Sequence, residues 1–444
     1  MQPRPVRPYN GAVAPTVDHP LRAALTNEVH ARPFASIRTP ARITHIAMLS
    51  GEGGFAADRA HLDRLLTAFR RPLAAADANH VFQDCGPFRL KWERHTEFCT
   101  WTVFVDGVAA SPFASPAVEA LPPDWLAGLP GSRLVAIHVA VERADAPSAV
   151  EDLARHFDPE FMTGSAVSGG GAEAWTDFRI HDDGYGRILV RDRALKPRQA
   201  GRLVQRLLEI ETYRMMALLA LPVAREVAPA ISAADRELVA ITAAMHSLGG
   251  LGDERRLLGK LTGLAAEVER ITAQSSYRFG AARAYDALVE RRIGELREQR
   301  IEGVQTIAEF MERRLAPALR TCAATAERLD AIAERLQRAG DLLRSRVDIA
   351  LEAQNQALLA SMDRRARLQL RLQGTVEGLS VAAISYYVVG LISYAAKALE
   401  MVGTPLHPEI ATGFAIPVVV AAVWLLVRRV RRHIGDSSES TREL

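Results

Sequence analysis

The chain has 444 residues, a length that calls for two or three domains and not a single core. Apolar residues make up 48% of it, which excludes a wholly disordered protein and leaves material for both a core and membrane segments. A formal net charge of only +3, with no basic stripe in the polar part, argues against nucleic acid as a partner.

The opening "MQPRPVRPYNGAVAPTV" is positive but lacks the apolar centre of a signal peptide, so residues 1–40 read as a tail and a clasp. Within them, "TNEVHARPF" (26–34) sets Glu28, His30 and Arg32 at alternate positions. In an extended chain the three share one face; in a helix Glu28 and Arg32 form an i,i+4 pair that Pro33 terminates. Either geometry satisfies the charges locally. A structural clasp that docks the tail onto the sheet or the stalk is therefore preferred, with the trio kept as the candidate functional motif. One His with one carboxylate is too few ligands for a metal site.

Residues 41–195 mix patterns. Strand character falls at 42–49, 87–95, 97–105, 133–141, 174–180 and 186–192, and helical runs at 56–70 and 148–156, which predicts an α+β sheet layer. Gly51, Gly53 and Ala56 loosely fit a dinucleotide loop, but Glu52 would oppose a pyrophosphate, and the plain reading is a Gly-rich turn. "HDDGYG" (181–186) reads as a hairpin turn before it reads as a metal site, and His138 as a core histidine. No nucleophile elbow, phosphate loop or zinc-protease motif occurs, so no catalytic residues, cofactor or metal are expected. The distant Cys85, Cys99 and Cys322 suit a reducing, cytosolic setting.

Residues 196–373 read as a helical, coiled-coil stalk. A helix opens at Pro197 and is expected to stop at Pro222 and Pro229, with further helices over about 232–247, 253–274 and 278–316. Beyond Pro317, Leu329, Ile332, Leu336, Leu343, Val347, Leu351, Leu358 and Met362 recur at spacings of three, four and seven. Continued into the next segment, this helix covers roughly eighty residues, or on the order of 120 Å. A rod of that length needs partners, either its own chain folding back or further copies in a homo-oligomer.

Residues 374–432 read as a two-helix transmembrane hairpin with spans at about 376–396 and 410–428, followed by a polar tail over 433–444. Arg364, Arg365, Arg367 and Arg371 precede the first span, Arg428, Arg429, Arg431 and Arg432 follow the second, and the connection carries only Lys397. That asymmetry puts both termini in the cytoplasm. Glu377 sits at the inner edge of the first span. Tyr386 and Tyr387 lie near its middle, where a hydroxyl wants a partner, so these three are candidate pore or inter-helix residues. Pro417 interrupts the second span.

"TNEVHARPF" and "LQLRLQGTVEGLSVAAISYYVVGLISY" (368–394) resemble the two signatures of a family of bacterial membrane-anchored proteins known only as a domain of unknown function. The resemblance implies an inner-membrane protein and supplies no catalytic residues. The architecture is also similar to CorA-type magnesium channels, with a cytoplasmic head, a long helix entering the first span and a basic end to the second. The Gly-Met-Asn triplet of that class is missing, since the corresponding place reads "SYAAKALEMVG" (393–403), which argues against magnesium conduction. The sequence thus predicts an α+β cytoplasmic domain, a long helical stalk and a transmembrane hairpin. Its expected role is a non-enzymatic, homo-oligomeric scaffold or sensor in contact with the lipid bilayer. The alternative is an ion channel whose first span lines the pore.

Overall fold

The computed structural model describes residues 18–23, 25–26, 34–50, 54–75, 78–107, 109, 111–144, 150–247, 249–401 and 408–439. It has an N-terminal α+β region with one large sheet and a long C-terminal helical region that closes on a separate helix. The strands are β1 (Ala41–Leu49), β2 (His80–Asp84), β3 (Arg89–Arg94), β4 (Phe98–Asp106), β5 (Ser132–Arg143), β6 (Thr163–Val167), β7 (Ala172–Thr176), β8 (Gly186–Asp192) and β9 (Gln299–Arg300). Their order across the sheet is β2-β3-β4-β1-β5-β8-β7-β6-β9. Among the named strands only β5 and β8 run parallel, because the chain between them leaves the sheet through α3 (Val150–Leu153) and returns as the β6–β7 hairpin.

Alternation along these strands assigns two faces. On one, Ile46, Met48, Leu90, Trp92, Cys99, Trp101 and Val103 bury against Leu62, Leu65 and Leu66 of α1 (Gly54–Ala68), with Trp125 of α2 (Pro123–Ala127) closing the layer. On the other, Ile43, Phe98, Phe104, Ile137, Val139, Val141, Ile188 and Val190 meet Leu203, Val204, Leu207 and Leu208 of α4 (Pro197–Leu218). Pro197 occupies the first turn of α4, where its missing N–H costs no helical bond. Ile37 N–H donates to the Pro197 carbonyl at 3.0 Å, and the backbone of Ala35 crosses α4 at Gly201. A Cβ on Gly201 would lie 1.7 Å from the Ala35 carbonyl oxygen, so only glycine admits this crossing.

The helices beyond α4 differ from the sequence expectation in two places. α5 (Ala220–Ala244) runs through both prolines, which were expected to end the helix that opens at Pro197. Pro222 falls in its first turn and removes no bond, while Pro229 removes one in a stretch held by buried Ile231, Ala234 and Leu238. The chain breaks earlier, at Leu219. α6 (Leu251–Leu296) is uninterrupted, whereas the helix expected to reach 316 stops at Leu296. There Arg297 takes a positive φ of 51°, β9 pairs with β6, and α7 (Ile307–Arg314) restarts behind a Thr306/Glu309 capping box. α8 spans Ala316–Met401 as one helix and α9 spans Pro408–Glu439.

The described residues fall into two compact units, one within Met1–Thr242 and Lys260–Arg338, the other within Ala243–Gly259 and Ala339–Leu444. In the first, the start of α8 is covered, with Cys322 and Ala326 against Phe279 and Ala282 of α6 and Ala220 and Ala224 of α5. Arg335 donates to Asp235 at 2.7 Å across the same helices. In the second, Leu257, Leu343 and Val347 are buried and Arg346 donates to the Met245 carbonyl at 2.6 Å. Further along α8 the stripe loses its cover: Leu358 and Met362 are exposed, as are Leu379, Leu391 and Tyr394, and in α9 Phe414, Val418, Trp424 and Leu426.

Candidate functional site: a polar cavity under α4

The face of the sheet that carries α4 is apolar along β5 and β8 but changes character along β1, β4 and β3. Register places His45, Thr102 and Lys91 in one row across these three strands, and Ala47, Thr100 and Glu93 in the next. Each is an inward position, so the row is buried under α4. The result is a cavity of about 250 Å³ with His45, Lys91, Glu93, Thr100 and Thr102 as its floor. Val204, Gln205, Leu208 and Thr212 of α4 roof it, Phe98 and Phe104 flank it, and Glu209, Tyr213 and Arg292 stand at its rim.

The hydrogen bonds fix most of these groups. Thr212 spends its proton on the Leu208 carbonyl at 2.8 Å, so its oxygen accepts from His45 Nε2–H at 3.1 Å. His45 is then the Nε2–H tautomer, and Thr102 donates to its Nδ1 at 2.8 Å. Burial is the main cause that holds this imidazole down to about 3, aided by His95 and Lys91, and the neutral ring ties sheet to helix. Lys91 lies 3.0 Å from Glu93 with both side chains largely buried. On the roof, Gln205 Nε2 donates to Glu209 at 2.7 Å, Glu209 also accepts from Arg292, and Arg292 bonds Glu295 at 3.0 Å.

Two polar atoms stay unpaired. Thr100 is 3% exposed and its hydroxyl has no partner; the Gln205 Oε1 is likewise shut away without one. Beside the cavity, Glu97 accepts from Arg278 at 2.6 Å and from the Tyr285 hydroxyl at 2.9 Å, which clamps α6 to the β3–β4 turn. Burial and the Glu97 carboxylate push the Tyr285 phenol above its ordinary value.

The sequence-derived candidates lie elsewhere. Glu28, His30 and Arg32 fall outside the described residues, as do Gly51 and Gly53. Of that first motif Thr26 and Phe34 are described: Phe34 sits under the Arg202 guanidinium at 5.0 Å, and the next residue, Ala35, lines the cavity. A smaller hollow of about 140 Å³ beside Phe34 shares Gln205, Glu209 and Arg292 with it. Tyr386 and Tyr387 are 78% and 72% exposed and meet edge to face at 6.0 Å, while Glu377 is half-buried. Within "HDDGYG", Gly184 N–H bonds the His181 carbonyl at 2.8 Å, and the His181 ring lies 3.1 Å from Asp177. His138 is a buried core histidine, 2.9 Å from Thr44 and stacked on Tyr185. Among the described residues no group of three His, Cys, Asp or Glu is placed to hold a metal.

Sequence reasoning misses this cavity. Its signal is present in "EFCTWTVFV", where Thr100 and Thr102 make the second face polar, but that pattern reads equally as a solvent face.

Fold and site together define an α+β protein with a polar cavity between sheet and helix and a long C-terminal helical region. Three of its helical stretches, Pro197–Ser247, Ile307–Leu399 and Pro408–Arg429, are long and apolar enough to cross a membrane by length and composition. The family described as "Protein of unknown function (DUF3422)" matches residues 17–434, and the chain belongs to it. No curated protein and no solved structure matches the chain.

Proposed function

We propose that the protein is a membrane-anchored, non-enzymatic scaffold or sensor of the bacterial inner membrane. Two C-terminal spans hold it there, and its head and both termini face the cytoplasm. The observation that carries this is the run of large apolar side chains left uncovered on α8 and α9, from Val376 to Leu426. Water is a costly neighbour for so continuous a surface, and lipid is not. The third apolar stretch, Pro197–Ser247, has a different use: α4 buries its stripe on the sheet, which leaves two spans. The arginines on the flanks of these two, against a single lysine between them, support the cytoplasmic side for both ends. The stripe exposed at Leu358 and Met362 supports further copies as the partner of α8.

The exposed Tyr386 and Tyr387 favour a second reading, in which the first spans of several copies line an ion path. Ion flux into liposomes that is lost with Tyr386→Phe and Tyr387→Phe would select it over the scaffold.

The primary test is alkaline extraction of membranes from expressing cells. The wild-type chain stays in the pellet, and Leu391→Arg, at a cost of about 2.5–3.5 kcal/mol for arginine near a span centre, shifts it toward the soluble fraction. Release of the wild-type chain by alkali, or an amino-terminal tag labelled from outside, refutes the reading.

A further inference from the structure

We propose that the arginine-rich inner ends of the two spans bind anionic phospholipid, with headgroup phosphates held by Arg371, Arg428 and Arg429 and an acyl chain laid along α8 at Gly374 and Gly378. This rests on the membrane reading and deepens it by naming the lipid class.

Depth selects the arginines. The polar layer beyond the hydrocarbon is about 5–8 Å thick on each side of a bilayer. Arg371 precedes Val376 by about 7.5 Å of helix at 1.5 Å per residue, and Arg429, Arg431 and Arg432 follow Arg428 within about 6 Å. Arg364, Arg365 and Arg367 start roughly 13–18 Å out by the same rise. Arg367 is also tied to Asp363 at 2.7 Å. In the phosphate layer Arg371, Arg428, Arg429, Arg431 and Arg432 therefore meet one carboxylate, Glu377, an excess of four positive charges where the entire chain carries +3. The connection at the other end sets Lys397 against Glu400 and Glu409, so the opposite leaflet meets no such field.

The surroundings of these groups suit phosphate. Arg371, Arg428 and Arg429 are exposed, and among the described residues none of them has a carboxylate partner. The Arg428 guanidinium lies over the Trp424 ring at 5.0 Å, an aromatic anchor at the level of the headgroups. A guanidinium meets phosphate through two parallel bonds. A zwitterionic lipid balances its phosphate with its own ammonium, whereas an anionic lipid leaves that charge to the protein, so charge complementarity selects the anionic one.

The glycines make the partner a lipid and not a loose phosphate. Gly374 and Gly378 follow Arg371 by three and seven residues, which places all three on one face of the helix, with the glycines one and two turns deeper. A Cβ on either glycine would meet nothing within 4 Å. The bare backbone there is a ledge on which the acyl chain of a lipid held at Arg371 can lie.

The experiment mixes the full chain, purified in mild detergent, with equal amounts of phosphatidylglycerol and phosphatidylcholine of the same acyl chains, and counts bound lipid by native mass spectrometry. Phosphatidylglycerol is expected to exceed phosphatidylcholine by about fivefold or more, and Arg371→Gln with Arg428→Gln and Arg429→Gln brings the ratio close to one. Should that triple variant fail to fold, Arg371→Gln alone must lower the ratio by about twofold or more. Gly378→Leu keeps every charge, fills the ledge and is expected to remove about half or more of the bound phosphatidylglycerol. Excess glycerol 3-phosphate leaves the lipid in place. The proposal is overturned if the wild type shows no preference, if the arginine variants keep it, if Gly378→Leu binds as the wild type does, or if glycerol 3-phosphate displaces the lipid. A chain that alkali leaves in the membrane but that shows no preference sinks this site alone; a chain that alkali releases sinks the membrane reading and this site with it.

Discussion

Two apolar parts of this molecule obey the same composition rule and meet opposite ends. In the stretch Pro197–Ser247, 28% of the most apolar window is buried; in the stretches ending at Leu399 and Arg429 the shares are 6% and 11%. The first packs through α4 on the sheet, where Leu203, Leu207 and Leu208 join the core, and through α5 on α6 and α8. The apolar windows of the other two are left mostly exposed among the described residues. Hydropathy therefore marks a demand for cover, and the neighbouring elements decide whether protein or lipid meets it.

The sharpest way to break this comparison is the same substitution in both places. Leu203 is 0% exposed, and Leu203→Ala is expected to destabilise the head by about 2–5 kcal/mol, read by urea denaturation. Leu391 is 68% exposed, and Leu391→Ala is expected to stay within about 0.5 kcal/mol in the same assay. Equal effects would mean that α8 is as firmly packed as α4.

Acid probes how α4 is fixed to the sheet. His45 is held to about 3 in the folded chain against an ordinary value of 6.5, so the unfolded chain takes up the extra proton. Stability is complete above about pH 6.5 and falls as pH drops from there toward 3, by on the order of 2 kcal/mol at pH 5 from this group alone. Burial lowers His138 and His61 to about 4, and both act in the same direction. A head whose melting temperature is flat from pH 7.5 to 5 would contradict this.

The smallest expected effect concerns the clamp beside the cavity. Tyr285→Phe removes one hydrogen bond to Glu97 while Arg278 still pairs that carboxylate, so the loss is about 0.5–1.5 kcal/mol by the same urea assay. A loss several times larger would mean that the hydroxyl holds more of the α6 contact than this bond.

Strands are legible in this sequence where each alternates along its own length. Residues 42–49, 97–105 and 133–141 show the pattern without help from neighbours, and β1, β4 and β5 lie there. β2 and β6, with "HVFQD" and "TGSAV", are short and carry too little of it to be told from loop. The restart of the helix at Thr306 is written as Thr-x-x-Glu, yet the heptad rhythm on either side suggests continuity and hides it. The prolines mislead for a related reason: their effect depends on the position in a turn, and Pro222 sits where nothing is lost. The cavity is beyond single-sequence reading, because Lys91, Thr100, His45 and Gln205 come together only through strand register and the seat of α4.

β9 is two residues long, yet it forms one border of the nine-stranded sheet, and Arg300 on it is paired with Glu309. A bare β6 would offer its row of amides and carbonyls to any identical neighbour, the first step toward aggregation. A stub ended by an ion pair is a poor template. That border of the sheet therefore gives a further strand little to pair with.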